Sequence, residues 1–280
     1  PVYNGSSEIV LSLLSIVFQS YQNIEIIIID DYSRDHTSLL INLIIKSFPK
    51  IKIKFSRNKK NQKIAKTLNK MILLSDTNFI ARHDHDDIAL LDRITLQMQY
   101  LQKNKKIGLV GARGLLFNQK HEVFGSIGKD FNLNNFIIKN LDIIQIPHPT
   151  WLVNKKVFKN YRYNDNSILS EDQLLLYENK KKISYGFLNK SIFFYRDYSL
   201  NLNKEMKSRV SVFFDFLNVS IKQKNFLILI PLILFHSVKL FLFLLTYLFD
   251  LNFLLRRYRK IDHDPDLLIS NLNKIYEKIN

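Results

Sequence analysis

The chain has 280 residues, 46% of them hydrophobic, with 21 Phe and 13 Tyr but only 7 Gly, so it can bury a sizeable core. It has no cysteine, which excludes disulfides and thiolate metal sites and fits a reducing compartment. A formal charge of +16 admits nucleic acid, an anionic membrane surface, or a genome bias toward Lys, Asn and Ile. The basic residues are scattered (Lys59-Lys60, Lys180-Lys181-Lys182, Arg256-Arg257) with no nucleic-acid-binding motif beside them. A membrane surface plus genome bias is therefore the better account, and no nucleic acid is expected.

The chain opens on a turn-like stretch, Pro1-Val2-Tyr3-Asn4-Gly5, with no signal peptide ahead of it, and the expectation is a fragment lacking its natural start. Ser6 or Ser7 is placed to cap a helix whose apolar residues Ile9, Val10, Leu13, Leu14 and Val17 share a face. Ile24–Ile29 is a nearly continuous apolar run ending at Asp30-Asp31, the pattern of a strand buried on both faces. Ser33 or Asp35 then caps a second helix, which stops at Phe48-Pro49. Ile51, Ile53 and Phe55 alternate with lysines and predict a strand nearer the sheet edge. A third helix carries Ile64, Leu68, Met71 and Ile72 inward. Phe79–Arg82 is a brief strand running into His83-Asp84-His85-Asp86-Asp87. A fourth helix (Ile94, Met98, Leu101) and a strand from Gly108 to Leu116 follow.

Alternation of strands and helices predicts an α/β fold, a mostly parallel sheet with helices on both faces. Both acidic clusters follow a strand directly, so they share the sheet edge where ligands bind in such folds. Beyond Asn118 the pattern weakens. Ile146–Trp151 is irregular, with His148 and Trp151 read as packing residues. Glu171-Asp172 opens a helix through Leu174, Leu175, Leu176 and Tyr177. Residues 226–249 are apolar almost throughout and long enough to span a bilayer. Yet His236 and Lys239 lie near the middle, and Arg256–Lys260 follow as a basic flank. An interfacial or re-entrant helix pair is favoured over a buried pair or a true span.

Three carboxylates within Asp84–Asp87 repel one another unless a cation or solvent intervenes. Hard divalent ions take oxygen ligands and share them with substrate phosphates, while the bland reading is a solvated turn. Asp30-Asp31 either caps the next helix or accepts hydrogen bonds from a nucleoside. Glu171-Asp172 either complements a helix dipole or supplies a general base. His83 and His85 read as turn residues.

Pro1–Gly5, Ser20–Asn23, Ile28–Ser33, Ala81–Ile88, Asp92-Arg93, Gly108–Gly111, His148–Thr150 and Glu171-Asp172 occur in that order. Together they resemble glycosyltransferase family 2 over about Pro1 to Ser199. The resemblance implies a GT-A (Rossmann-like) fold over residues 1–200 with its first strand missing, while the apolar 226–249 segment and its basic flank point to a helical, membrane-associated region over 201–280. It implies an inverting enzyme that takes a nucleotide-diphosphate sugar donor, with Mg²⁺ or Mn²⁺ on Asp84 and Asp86, Asp86 being the favoured direct ligand. Pro1, Tyr3 and Asp31 fall on the nucleotide side, and Asp172 is the catalytic base with Glu171 as fallback. The acceptor implied is a glycan or lipid-linked hydroxyl in surface polysaccharide synthesis, at the cytoplasmic face of the inner membrane. Tyr32 and Lys63 stand where the family usually carries Gly. The alternatives are a sugar-phosphate nucleotidyltransferase, for which no Gly-rich phosphate loop is visible, and a catalytically inactive membrane-associated scaffold.

Overall fold

The computed structural model describes residues 1–128, 146–160, 162–167, 170–179, 182–197, 202–224 and 266–279, with isolated positions between 234 and 249. The apolar run forms β1 (Glu25–Asp30), paired in parallel with β2 (Lys52–Arg57) so that Ile26 faces Ile53 and Ile28 faces Phe55. Val2 makes an isolated parallel bridge to Asp30 on the other edge of β1. Helices α1 (Ile9–Val17) and α2 (Thr37–Ser47) bury Ile9, Leu13, Ile41 and Ile44 against Ile26 and Ile28. α3 (Lys63–Leu74) packs Ala65, Leu68 and Ile72 into a separate cluster with Trp151, Val153 and Phe158. β2 has no buried residue, as its alternation with lysines foretells.

Two capping expectations meet different outcomes. Neither Ser6 nor Ser7 caps α1, because the backbone N–H of Ser6 is drawn off to Asp35 Oδ2 at 3.1 Å and the helix opens later, at Glu8-Ile9. Asp35 does serve α2: its Oδ1 accepts from the N–H of Thr37 at 3.1 Å. Burial pushes the Asp35 carboxyl up, but hydrogen bonds from Thr37 and Ser6 outweigh it and bring its pKa to about 2.

The second sheet is built from β3 (Phe79–Ala81), β4 (Ile88–Ala89), β5 (Leu109–Phe117), β6 (Val123–Ile127), β7 (Leu152–Asn154) and β8 (Tyr185–Arg196). Its order is β3-β7-β5-β8-β4, with β6 on β5. β5 and β8 pair in parallel, whereas β3–β7, β5–β7, β4–β8 and β5–β6 are antiparallel. The α/β class and its helical layers stand as expected, and within them the strand directions divide: parallel in β1–β2, mixed from β3 onward. α4 (Arg93–Lys103) packs Leu101 and Met98 on Val110 and Leu152.

In the C-terminal part, α5 (Lys155–Asn160) precedes α6 (Glu171–Asn179), which packs Leu174 and Tyr177 on Val212, Phe216 and Val219 of α7 (Leu202–Gln223). α8 (Leu267–Glu277) buries Leu268, Leu272 and Ile275 against Leu14, Ile88, Leu115 and Phe194. Among the described residues no helix is long and apolar enough to cross a membrane, and most of 226–249 lies outside them.

Tyr32 and Lys63 both take left-handed backbone, at φ +73° and +70°. A Cβ there crowds the following carbonyl, which Gly avoids. Lys63→Gly is expected to stabilise the chain by about 1 kcal/mol, the strain relieved exceeding the entropy Gly adds to the unfolded state. A urea midpoint that falls instead would show that the left-handed turn costs nothing here.

Candidate active site

Two loops meet at the carboxyl end of β1. The backbone of Val2 bonds to both sides of Asp30: its N–H donates to the Ile29 carbonyl at 3.0 Å, and its carbonyl accepts from the Asp31 N–H at 2.8 Å. The next residues are stitched to the turn after β1. Asn4 N–H donates to Ser33 Oγ at 2.9 Å, Gly5 N–H to Thr37 Oγ1 at 2.9 Å, and Arg34 N–H to Asn4 Oδ1 at 2.9 Å. Gly5 admits no side chain, since a Cβ there would stand 2.3 Å from the His85 ring. That close approach joins the opening loop to the acidic loop. Tyr3 stays 46% exposed beside it.

Asp31 is buried, with both oxygens occupied. Oδ1 accepts from Asn58 Nδ2 and the Gln62 N–H at 2.8 Å each, and Oδ2 from the Lys63 N–H at 2.9 Å. It therefore fixes the start of α3, a job that a sequence reading cannot see. Tyr32 presents its ring to the guanidinium groups of Arg57 at 5.6 Å and Arg34 at 6.0 Å.

The acidic loop resolves its own repulsion by giving each carboxylate a different state. Burial pushes Asp84 up, but the buried Arg82 guanidinium, ion-paired to its Oδ1, outweighs this and holds it at about 2. Asp87 is 1% exposed, and Oδ1 accepts from the Arg196 N–H at 2.8 Å while Oδ2 has no partner. Burial, then the Asp84 and Asp86 charges, drive its carboxyl well above the usual range, so it holds its proton. Asp86 is partly exposed, and among the described residues its carboxylate has no hydrogen-bond or ionic partner; only its backbone carbonyl is engaged, by Arg196 Nε at 2.9 Å. Asp84 and Asp86 thus offer hard oxygen donors that a divalent cation would fit.

His83 is a turn residue with a fixed place. Its Nε2 lies 2.9 Å from Ser12 Oγ and its Nδ1 3.4 Å from Arg93. Burial first, then the Arg93 charge, lower its pKa far enough to keep it neutral. Ser12 Oγ also donates to the Asp84 carbonyl at 3.0 Å, so α1 reaches across to this loop.

Glu171 and Asp172 open α6 within reach of the Arg82 charge, which acts on both. The helix start is tied to α7 by Asp215, whose Oδ2 accepts from Ser170 Oγ and, at 2.9 Å, from Ser167 Oγ. Glu171 is 7% exposed, with Oε1 3.8 Å from His148 Nδ1; Asp172 is more open. His148 packs edge-on against Trp151, as a packing residue would, and its Nε2 is 2.9 Å from the Tyr163 hydroxyl. Ligand atoms of His148, Glu171 and Asp172 all lie within 4.8 Å of one another, a second place where a cation could sit.

Burial, then the Asp172 charge, raises Glu171 from 4.5 to about 7. A carboxyl whose folded pKa is raised contributes stability that is full below its unfolded pKa and lost as pH climbs through its folded one. Glu171→Gln is therefore expected to match the parent near pH 5 and exceed it by up to about 3 kcal/mol near pH 8.5, read from urea midpoints. Equal midpoints at both pH values would mean that Glu171 is not desolvated.

The structure thus gathers Pro1, Asp84, Glu171 and Asp172 around Arg82, with Asp31 on the far side of Pro1. Sequence reasoning missed Arg82, Ser12, Tyr163, Arg196 and Asp215. An arginine at the end of an otherwise apolar run, two residues before Asp84, is the one visible signal.

The sequence model for Glycosyl transferase family 2 matches residues 1–162. The chain is 33% identical over 173 residues to the bifunctional glycosyltransferase pgtA of Dictyostelium discoideum, covering 60% of this chain and 21% of that protein. It is 32% identical over 118 residues to the putative glycosyltransferase EpsE of Bacillus subtilis, covering 42% of each. It therefore spans about a fifth and about two fifths of these relatives' lengths. Among solved structures, the mannosyltransferase PcManGT of Pyrobaculum calidifontis, in complex with GDP-Man and Mn²⁺, is similar with TM-score 0.61 at 12% identity, over 81% of this chain and 68% of that one. TarS 1–349 of S. aureus with UDP-GlcNAc gives 0.55 at 14%, over 79% and 65%. These likenesses carry the fold, and the family match over more than half the chain carries the membership: this protein belongs to glycosyltransferase family 2.

Proposed function

We propose that the chain transfers a sugar, with inversion at the anomeric carbon, from a nucleotide-diphosphate donor to a hydroxyl of a glycan or lipid-linked acceptor in surface polysaccharide synthesis. The observation that carries this reading is the division of labour around Arg82: an unpartnered Asp86 beside an ionised Asp84 on one side, and a carboxylate pair with raised pKa values on the other. Asp84 and Asp86 would hold Mg²⁺ or Mn²⁺, which when bound neutralises the charge of a departing diphosphate. Asp172, more open than Glu171, is the base that takes the acceptor proton. Burial raises its pKa, which makes it a stronger base than an ordinary Asp carboxylate. Tyr3, with Tyr32 and its arginines, lines the nucleotide side. Nucleotide-sugar complexes among the structural relatives support a donor of this class.

A peripheral seat on the cytoplasmic face of a membrane is part of the same reading. Val210, Phe214 and Ile221 of α7 and Leu234, Val238, Phe241, Leu248 and Phe249 beyond it are all more than half exposed. Arg256, Arg257, Arg259 and Lys260 follow them in sequence, and an apolar face beside cationic residues suits an anionic interface.

The test is a thermal-shift screen of nucleoside diphosphates with and without Mn²⁺. One nucleotide, near 100 times its dissociation constant, should raise Tm by about 5 °C or more, and only with metal. Release of that nucleoside diphosphate from the matching sugar donor should follow. Folded protein that responds to no nucleotide would sink the transferase reading and bring the inactive scaffold forward.

A further inference from the structure

A groove of about 590 Å³ lies along α3. Lys66, Asn69 and Lys70 form one wall, and Arg162, Tyr163 and Asp165 the other. Lys66 and Lys70 stand one helical turn apart and so share a face of α3. Asn69 ties the walls together. Its Nδ2 donates to the Tyr163 carbonyl at 2.9 Å and to Asp165 Oδ1 at 2.8 Å, and its Oδ1 accepts from the Tyr163 N–H at 3.1 Å.

The charge of this groove is lopsided. Lys66, Lys70 and Arg162 are set against a single acid among the lining residues, Asp165, whose Oδ1 is already engaged by Asn69. Among the described residues neither Lys66 nor Arg162 has a hydrogen-bond or ionic partner. Lys70 donates to Asn58 Oδ1 at 2.8 Å, and its ammonium has two further protons to give. Cations gathered in one concavity repel one another unless an anion or solvent enters.

Tyr163 joins the groove to the proposed base. Its backbone is bonded to Asn69 on the groove side, while its hydroxyl lies 2.9 Å from His148 Nε2. Ligand atoms of His148, Glu171 and Asp172 lie within 4.8 Å of one another. A molecule lodged against Lys66 and Arg162 is thus one tyrosine away from the group that would take its proton.

We propose that this groove holds a phosphate of the acceptor, so that the chain works on a phosphate-bearing glycan or lipid and not on a neutral sugar. A carboxylate brings one charge and two oxygens, too few for all the cations present. A phosphate ester or diphosphate brings more of both, with the Arg162 fork suited to two oxygens and each lysine to one. The donor's own diphosphate belongs to the metal on Asp84 and Asp86, which leaves the acceptor as the source. The acceptor role rests on the transfer reading, whereas the anion site does not.

The experiment titrates the full chain with inorganic pyrophosphate in EDTA, where without metal the acidic loop offers it no seat. Calorimetry should show binding that weakens about tenfold or more in Lys66→Gln/Arg162→Gln. Lys105→Gln/Lys106→Gln removes the same charge from the loop after α4 and should stay within about twofold of the parent. All four side chains are exposed, so both variants should fold. No binding, or an equal loss in the two variants, overturns the site. Displacement then names the source: a prenyl diphosphate in detergent for a lipid carrier, a glycerophosphodiester for a glycan backbone. Displacement by neither, or more readily by nucleoside diphosphates, overturns the proposal. If pyrophosphate binds as expected but no sugar donor yields its nucleoside diphosphate, the anion site stands and the transfer reading fails alone, taking the acceptor role with it.

Discussion

Asp86→Asn is expected to lower kcat by a factor of about 10² to 10³ or more while leaving the fold intact. The expectation rests on what Asp86 does not touch. Asp84 is spent partly on Arg82, and Asp87 is buried with its proton, so Asp86 is the carboxylate of the loop free to take an ion. Its removal costs no side-chain contact and takes one negative charge away from Asp87, so Tm should hold or rise slightly. The metal-dependent thermal shift by a nucleoside diphosphate should vanish with the activity. A variant that transfers sugar within threefold of the parent, with the shift intact, would falsify the assignment.

Asp172→Asn is expected to cost a factor of about 10² to 10⁴ in kcat with donor binding retained. The donor-induced thermal shift should survive, because Asp172 stands at the start of α6 and not in the acidic loop. In the parent, kcat/KM should fall on the acid side as the base protonates, at a pH above that of an ordinary Asp carboxyl, since burial raises it. In the variant that acid limb should be gone. Glu171→Gln is the control: it removes a more buried carboxyl at the same helix start and should keep most of the activity. If Glu171→Gln is the slower enzyme, the roles of the two residues are exchanged.

The parts of the site legible in sequence are those written in short-range pattern. Ile24–Ile29 and Phe79–Ala81 announce strands by their apolar continuity, but the single sheet edge expected for the acidic residues after them is not found, because β1 and β3 lie in different sheets. What decides the state of each carboxylate is written elsewhere. Arg82 directly follows the second of these strands, but it is held from α4, where Arg93 donates to the Arg82 carbonyl at 2.6 Å. Asp87 is driven well above the usual carboxylate range by burial and by the Asp84 and Asp86 charges, while the Arg196 N–H, more than a hundred residues on, pulls the other way. Strand direction after β4 was hidden for a related reason: β4 and β7 have only two and three residues. Such strands carry no periodicity, and their pairing partner alone fixes which way they run. The glycine positions filled by Tyr32 and Lys63 show the opposite case. The residue type predicts extended or helical backbone, and hydrogen bonds to Asp31 and Asn61 force Lys63 into the left-handed turn regardless.

The docking of α8 has a consequence for anyone trimming the chain. β4 ends the larger sheet, and an end strand with bare N–H and carbonyl groups is a template for pairing with another molecule. Asn271 occupies that template: its amide nitrogen donates to the Ala89 carbonyl at 3.1 Å, and its oxygen accepts from the Leu91 N–H at 3.3 Å. One side-chain amide stands in for a neighbouring strand, with Leu268 and Leu272 sealing it from water. A chain ended after α7 would keep Asp84, Asp86, Glu171 and Asp172 and the β8 partner of β4, and lose this plug. Its failure would then be fibrous or amorphous self-association through β4, and Asn271→Leu in the full chain should reproduce the same stickiness in miniature.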